Sequence, residues 1–204
     1  MIKNIIFISG MAFLSAESVY AESHTDELNI DQSFRTAVKL VEDQQYIDAI
    51  NIFTILAERD IPEAQYNLSL LLFNGLGAPK NFKSSLKWAW KAYLNEHEYA
   101  LIQVNDILDM IPADVRDSVA NELIQEISEI AKDKNQLATL KVGITFTELL
   151  SEPDYLSAYV WLSIAQAYGI EKASDLLAEV TDQLSIEEVL AQQELATQLF
   201  EEMN

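Results

Sequence analysis

Apolar residues recur along this chain at spacings of three and four, the period of a helix that buries one face. Phe34, Ala37, Val38 and Val41 mark one such face, and Tyr46, Ala49, Ile50, Phe53 and Leu56 mark another. From Ala64 the run AQYNLSLLLF is too densely apolar for an exposed helix. Asn74-Gly75-Leu76-Gly77 then stops it, because glycine takes the positive φ of a helix C-cap at little steric cost. Pro79 cannot continue a helix interior, and Asn81 caps a second helix through Phe82, Leu86, Ala89, Trp90 and Tyr93. Further on, Leu101, Val104, Leu108 and Ile111 pattern a helix stopped by Pro112, and Val115, Val119, Leu123, Ile127 and Ile130 a longer one. Leu140, Ile144 and Phe146 open another pair, with a loop at 151–153 and a helix from Tyr155 to Tyr168 closed by Gly169. Ala173, Leu176, Leu177, Val180 and Leu184 follow, then a last helix with Ser185 and Glu188 as a capping box. In it Val189, Leu195 and Leu199 cover the array while Glu187, Glu188, Glu194, Glu201 and Glu202 face water. The pattern predicts an all-α chain, an α-solenoid of about ten helices in antiparallel pairs that ends on a polar cap helix.

The pairs repeat. From Ala64, comparable alanines recur at Ala100, Ala138 and Ala173, at spacings of 36, 38 and 35 residues. Trp88 and Trp161 each lie 12 residues before the next marker alanine. The windows Phe73–Trp88 and Phe146–Trp161 align without gaps, with Phe73/Phe146, Phe82/Tyr155 and Trp88/Trp161 coincident and Pro79/Pro153 one place apart. A hairpin of this kind cannot cover its own apolar faces, so a period near 36 residues marks stacked helical units.

The stretch Ala64-Gln65-Tyr66-Asn67-Leu68, Gly75-x-Gly77, Pro79-Lys80, Phe82, Lys87-Trp88 and Lys91-Ala92 resembles a Sel1-like repeat, a relative of the tetratricopeptide repeat. A second unit resembles the same family through Ala138, Gly143, Asp154-Tyr155, Ala158-Tyr159, Trp161 and Ala165. The chain departs from the pattern at Ser69, where a small residue is usual, at Glu96, where glycine is usual, and in the second unit, which lacks both glycines of the break. On this frame residues 30–63 form a tetratricopeptide-like pair, 64–99 a Sel1-like repeat, 100–137 a degenerate one, 138–172 a second Sel1-like repeat and 173–204 closing helices. The resemblance implies an interaction scaffold and transfers no catalytic residues.

Charge and composition narrow the partners. With 33 acidic against 13 basic residues the net charge is −20, so phosphate backbones are repelled and nucleic acid is excluded as a partner. Half the residues are hydrophobic, and only five glycines and four prolines are present, as suits a helical chain with a real core. Residues 1–21 read as a signal peptide: Lys3, an apolar run of about 11 residues, then Val19-Tyr20-Ala21. That run is too short to span a bilayer, so no membrane span remains after cleavage following Ala21. With no cysteine, lipid attachment at cysteine, disulfides and thiolate chemistry are excluded. A periplasmic or secreted protein is expected, with 22–29 (ESHTDELN) as a disordered leader.

Catalytic patterns are missing. The two histidines, His24 and His97, fit no metal-ligand spacing, and Gly75-Leu76-Gly77 lacks the third glycine and preceding strand of a phosphate loop. A serine nucleophile needs a histidine base, and His97 has no companion in the sequence. No catalytic, cofactor-binding or metal residue is assigned, and no cofactor is expected. Trp88 and Trp161 occupy the packing position of the repeat and are expected in the core. Trp90 and Tyr93 stand where the repeat usually carries a polar residue and an alanine, so they either fill an enlarged gap between units or anchor a partner; with Tyr66 they are the candidate partner-binding residues. The expectation is a non-catalytic extracytoplasmic scaffold that binds a peptide or protein on a concave face, with acidic residues steering a basic partner. A peptidoglycan-associated binding module or envelope enzyme is the alternative.

Overall fold

The structure is a computed structural model that describes residues 21–204. The signal peptide expected over 1–21 therefore lies, except for Ala21, outside the described residues. Ten α-helices and no strands occur among the described residues, as the periodicity predicts. They divide into two compact units, one ending at Met110 and one beginning at Ile111. The first holds α1 (Ala21–Glu42), α2 (Tyr46–Ala57), α3 (Pro62–Asn74), α4 (Phe82–Leu94) and α5 (Ala100–Leu108). The second holds α6 (Ala113–Lys132), α7 (Gln136–Glu148), α8 (Tyr155–Ala167), α9 (Glu171–Thr181) and α10 (Ile186–Met203). Helix α1 takes in 22–29, the stretch expected as a leader. The loop between α5 and α6, at 109–112, is where one unit ends and the next begins, inside the segment expected as a single degenerate repeat over 100–137.

In the first unit each helix packs on its neighbour in sequence, and α3 also reaches α5. Ala37, Ala49, Phe53, Leu56, Ala64, Leu68 and Leu71 form the core shared by α1, α2 and α3. Each Phe or Leu removed from water there contributes roughly 1.5–3 kcal/mol. In the second unit α7 packs between α6 and α8, and α8 carries both α9 and α10.

The repeat is written in the backbone as well as in the alanines. Ala64, Ala100, Ala138 and Ala173 are all buried, and each donates its N–H to the carbonyl three residues earlier at 3.0–3.1 Å. Four residues before each stands a left-handed residue: Asp60, Glu96, Lys134 and Gly169, with φ of 58°, 64°, 65° and 79°. Glu96 thus adopts the conformation of the glycine it replaces. The αL turn closes one helix and aims the chain back to start the next.

Two glycines are fixed by close approach. A Cβ on Gly77 would lie 2.5 Å from the carbonyl oxygen of Tyr46, so the α3–α4 loop lies flush on the start of α2. A Cβ on Gly143 would lie 2.6 Å from Leu162 Cδ2, which sets the α7–α8 spacing. Asn81, Asn135 and Asp154 cap α4, α7 and α8 through their side chains, and Ser185 with Glu188 forms the expected capping box on α10.

Two amphipathic faces differ from expectation. In α5 the buried residues are Ala100, Gln103, Val104 and Ile107, so Ile107 takes the place expected for Leu108, and Leu101 is largely exposed. In α10 the buried residues are Val189, Ala196 and Met203, while Leu195 is 49% exposed, and Ile186 and Leu190 are exposed as well. The cap helix is therefore acidic and partly apolar rather than simply polar, because the three-and-four spacing admits two faces about a turn's fraction apart.

Candidate functional site

The three candidate residues separate on structure. Trp90 is 1% exposed and among the largest fully buried side chains, which corrects its place as a partner-binding residue: no partner has access to it. Its ring lies 5.0 Å from that of the half-buried Tyr93. Trp88, expected in the core, is half-buried against the α1–α3 core, and Lys91 Nζ lies 5.1 Å over its ring. The two tryptophans have in effect exchanged roles, since α4 turns Leu86, Ala89 and Trp90 inward. Trp161, Ala92 and Ala165 are buried as the repeat frame expects.

Tyr66 stays at the surface and gathers a site around it. It sits in the second turn of α3, which starts at Pro62 with a proline in its first turn. The loop 95–99 returns over it through the left-handed Glu96, after which His97 donates its N–H to Ala92 O at 2.9 Å. Buried Gln65 fastens this loop: its amide nitrogen donates to Ala57 O and Asp60 Oδ1, and its oxygen accepts from Asn95 at 2.9 Å. The His97 imidazole then stacks on Tyr66 with ring centres 4.2 Å apart and planes 21° from parallel. Tyr99 approaches His97 edge-on at 6.1 Å, and its N–H donates to His97 Nδ1 at 3.3 Å. That nitrogen can accept only while it carries no proton.

Carboxylates act on the ring set. Burial, then the charges of Asp106 and Tyr99, push the Tyr66 phenol above its ordinary pKa, so it stays protonated. Burial holds His97 below the usual imidazole range, against the opposing pull of Glu63 and Glu98. None of Glu63, Glu98 and Asp106 is in an ion pair among the described residues. Asn67, which follows Tyr66 on α3, and Gln103, three residues before Asp106 on α5, are both more than nine-tenths buried. Asn67 Oδ1 and Gln103 Nε2 are the buried side-chain atoms without a hydrogen-bond partner among the described residues.

This set offers aromatic faces and negative charge rather than a nucleophile with its base. Among the described residues no three His, Asp or Glu side chains are grouped to hold a metal ion, and no helix is long and apolar enough to cross a membrane. Of the three candidates read from the sequence, Tyr66 lies in this set, and its companions were not among them. His97, Tyr99, Glu63 and Asp106 come from α3, a loop and α5, and no local spacing announces them. The absence of any lysine or arginine from 60–79 and 92–115 was the one available signal.

No protein-family model matches the sequence, and no match is found among curated proteins. Among solved structures, the chain is similar to a protective antigen of uropathogenic Escherichia coli displaying an SLR fold, at 16% identity and a TM-score of 0.35. That similarity covers 89% of this chain and 48% of the antigen, so this chain spans about half the antigen's length. It is also similar to a Sel1 repeat protein from Oxalobacter formigenes at 17% identity and a TM-score of 0.30, over 83% of this chain and 87% of that one.

Proposed function

We propose that this protein is a non-catalytic, extracytoplasmic scaffold that binds a peptide or protein partner through the Tyr66 face of its first unit. The observation that carries the reading is the half-buried Tyr66–His97–Tyr99 set, held by buried hydrogen bonds and under the influence of carboxylates that form no ion pair among the described residues. Aromatic groups that are fixed in place yet reachable are what a partner can bind without a large ordering cost. The acidic surface favours a basic partner and speeds its approach. The compartment rests on the signal-peptide pattern of residues 1–21. N-terminal sequencing of the exported protein is expected to start at Glu22.

The test is a crosslinking pull-down from the native envelope, with wild type compared with a Tyr66→Ala variant of unchanged melting behaviour. A partner captured by wild type and lost by the variant supports the reading. Capture of no protein by wild type, with binding to purified sacculi instead, overturns it in favour of a cell-wall module.

A further inference from the structure

The Tyr66 face carries more than a general affinity for partners. Three independent features of the first unit converge on it. The first is aromatic: Tyr66, His97 and Tyr99 present electron-rich ring faces and edges within about one side chain's length, and such faces attract cations. The second is charge. Glu63 lies one turn before Tyr66 on α3, Asp106 lies on α5 near enough to act on the Tyr66 hydroxyl, and Glu98 acts on His97. Residues 60–79 and 92–115 contain no lysine or arginine, so nothing local in sequence neutralises these carboxylates.

The third is a pair of unmet polar groups. Asn67 follows Tyr66 on α3 and stands four residues after Glu63; its Nδ2 donates to Glu63 O at 2.7 Å, and its Oδ1 has no donor. Gln103 lies on α5 four residues after Tyr99 and three before Asp106, and its Nε2 has no acceptor. Helical spacing puts Asn67 beside Glu63 on α3 and Gln103 beside Tyr99 and Asp106 on α5. Buried polar groups are nearly always satisfied, and an exception calls for a missing partner. Both atoms are covered.

We propose that this face is a subsite for an arginine residue of a basic peptide, whose guanidinium lies against the Tyr66–His97–Tyr99 rings between Glu63 and Asp106. The inference rests on the scaffold reading and names the chemistry of the partner. A guanidinium is planar and stacks on rings, as the His97 imidazole already does on Tyr66. Its N–H groups only donate, which matches the two carboxylates. An ammonium supplies the charge without the plane.

The site also has an internal competitor. Protonated His97 is itself a cation stacked on Tyr66 with Glu63 and Glu98 near, and Tyr99, Asp106 and the Tyr66 hydroxyl complete the groups around it. Guest and proton therefore exclude each other, and affinity falls as pH drops through the His97 range.

The test titrates the full mature chain with a capped peptide carrying three arginines among alanines and serines. Counterparts have citrulline or lysine in place of arginine. The arginine peptide is expected to bind, and the citrulline peptide at least about tenfold more weakly, since citrulline keeps the shape and loses the charge. The double variant Glu63→Gln, Asp106→Asn is expected to weaken the arginine peptide at least about tenfold. A control of equal charge change, Glu201→Gln with Glu202→Gln on α10, is expected to stay within about twofold. His97→Gln is expected to flatten the pH dependence of binding. Equal binding of arginine and citrulline peptides, equal binding of arginine and lysine peptides, or equal loss in the α10 control overturns the proposal. In the envelope pull-down, a partner held equally by wild type and the Glu63/Asp106 variant overturns this subsite and leaves the scaffold standing. Loss of that partner from the folded variant supports the subsite.

Discussion

Ser69 and Ser85 clasp each other across the α3–α4 crossing. Ser69 Oγ donates to Ser85 O at 2.8 Å, Ser85 Oγ donates to Ser69 O at 2.9 Å, and the two hydroxyl oxygens lie 3.0 Å apart in full burial. Ser69 stands 74 residues before Gly143, the same offset that separates Ala64 from Ala138. Where the second unit brings its helices together by removing a side chain, the first uses two small ones that satisfy each other. Ser69→Ala and Ser85→Ala are each expected to cost about 1 kcal/mol. Because the two bonds share one contact, the double variant is expected to cost less than the sum. Chemical denaturation of the four proteins checks this, and strict additivity would count against a coupled pair.

Gly77 and Gly169 separate two reasons for glycine. Both have positive φ, yet a Cβ on Gly169 meets nothing within 4 Å while one on Gly77 strikes the Tyr46 carbonyl. Gly169→Ala is expected to cost about 1–2 kcal/mol, from conformation alone. Gly77→Ala adds a backbone clash and is expected to cost more, with the α2–α3 region losing hydrogen-exchange protection. Equal costs would show that the loop shifts freely off α2.

Lys134 is exposed, with φ of 65° in the turn before α7. A lysine there bears strain that glycine does not. Lys134→Gly is expected to raise stability by roughly 0.5–1 kcal/mol, offset in part by the extra freedom of the unfolded chain. A lower melting temperature in this variant would contradict the conformational account.

Trp90→Ala is expected to cost about 3–5 kcal/mol as a fully buried ring is lost. Trp88→Ala is expected to cost less, since that ring is only half-buried and its cation–π contact with Lys91 is partly hydrated. Denaturant midpoints rank the two, and the reverse order would restore Trp88 to the core.

Acid weakens the fold through two identifiable groups. Asp117 accepts both the hydroxyl and the backbone N–H of Ser151, at 2.6 and 2.7 Å, and these bonds hold its carboxyl below the usual range. A depressed carboxylate stabilises the fold above its unfolded pKa, and the gain fades as pH falls through the folded value. His97 is also depressed, so the folded state resists the proton that the unfolded chain takes up near the ordinary histidine value of 6.5. Stability is then full above that value and is lost as pH falls through the folded one. His97→Gln is expected to remove the pH slope just below the ordinary histidine range and to leave the carboxylate-range slope intact. An unchanged slope there would show that His97 does not contribute.

The sequence by itself determined the helices, their pairing and their punctuation. Those depend on local terms: the three-and-four spacing, the N-caps at Asn81, Asp154 and Ser185, and the turns that precede each marker alanine. Local terms also marked Ala64, Ala100, Ala138 and Ala173 as the recurring positions of the repeat, and all four are buried. Tertiary structure decided what periodicity leaves open by a fraction of a turn. On α4 both Trp88 and Trp90 are compatible with an inward face, and only the packing of α4 on α3 and α5 turned Trp90 in and left Trp88 half out. The site was decided at the same level. Tyr66 and His97 are 31 residues apart and meet because a left-handed Glu96 and the buried Gln65 amide fold the 95–99 loop back over α3. No period encodes that meeting, since it is a contact between elements rather than a property of either.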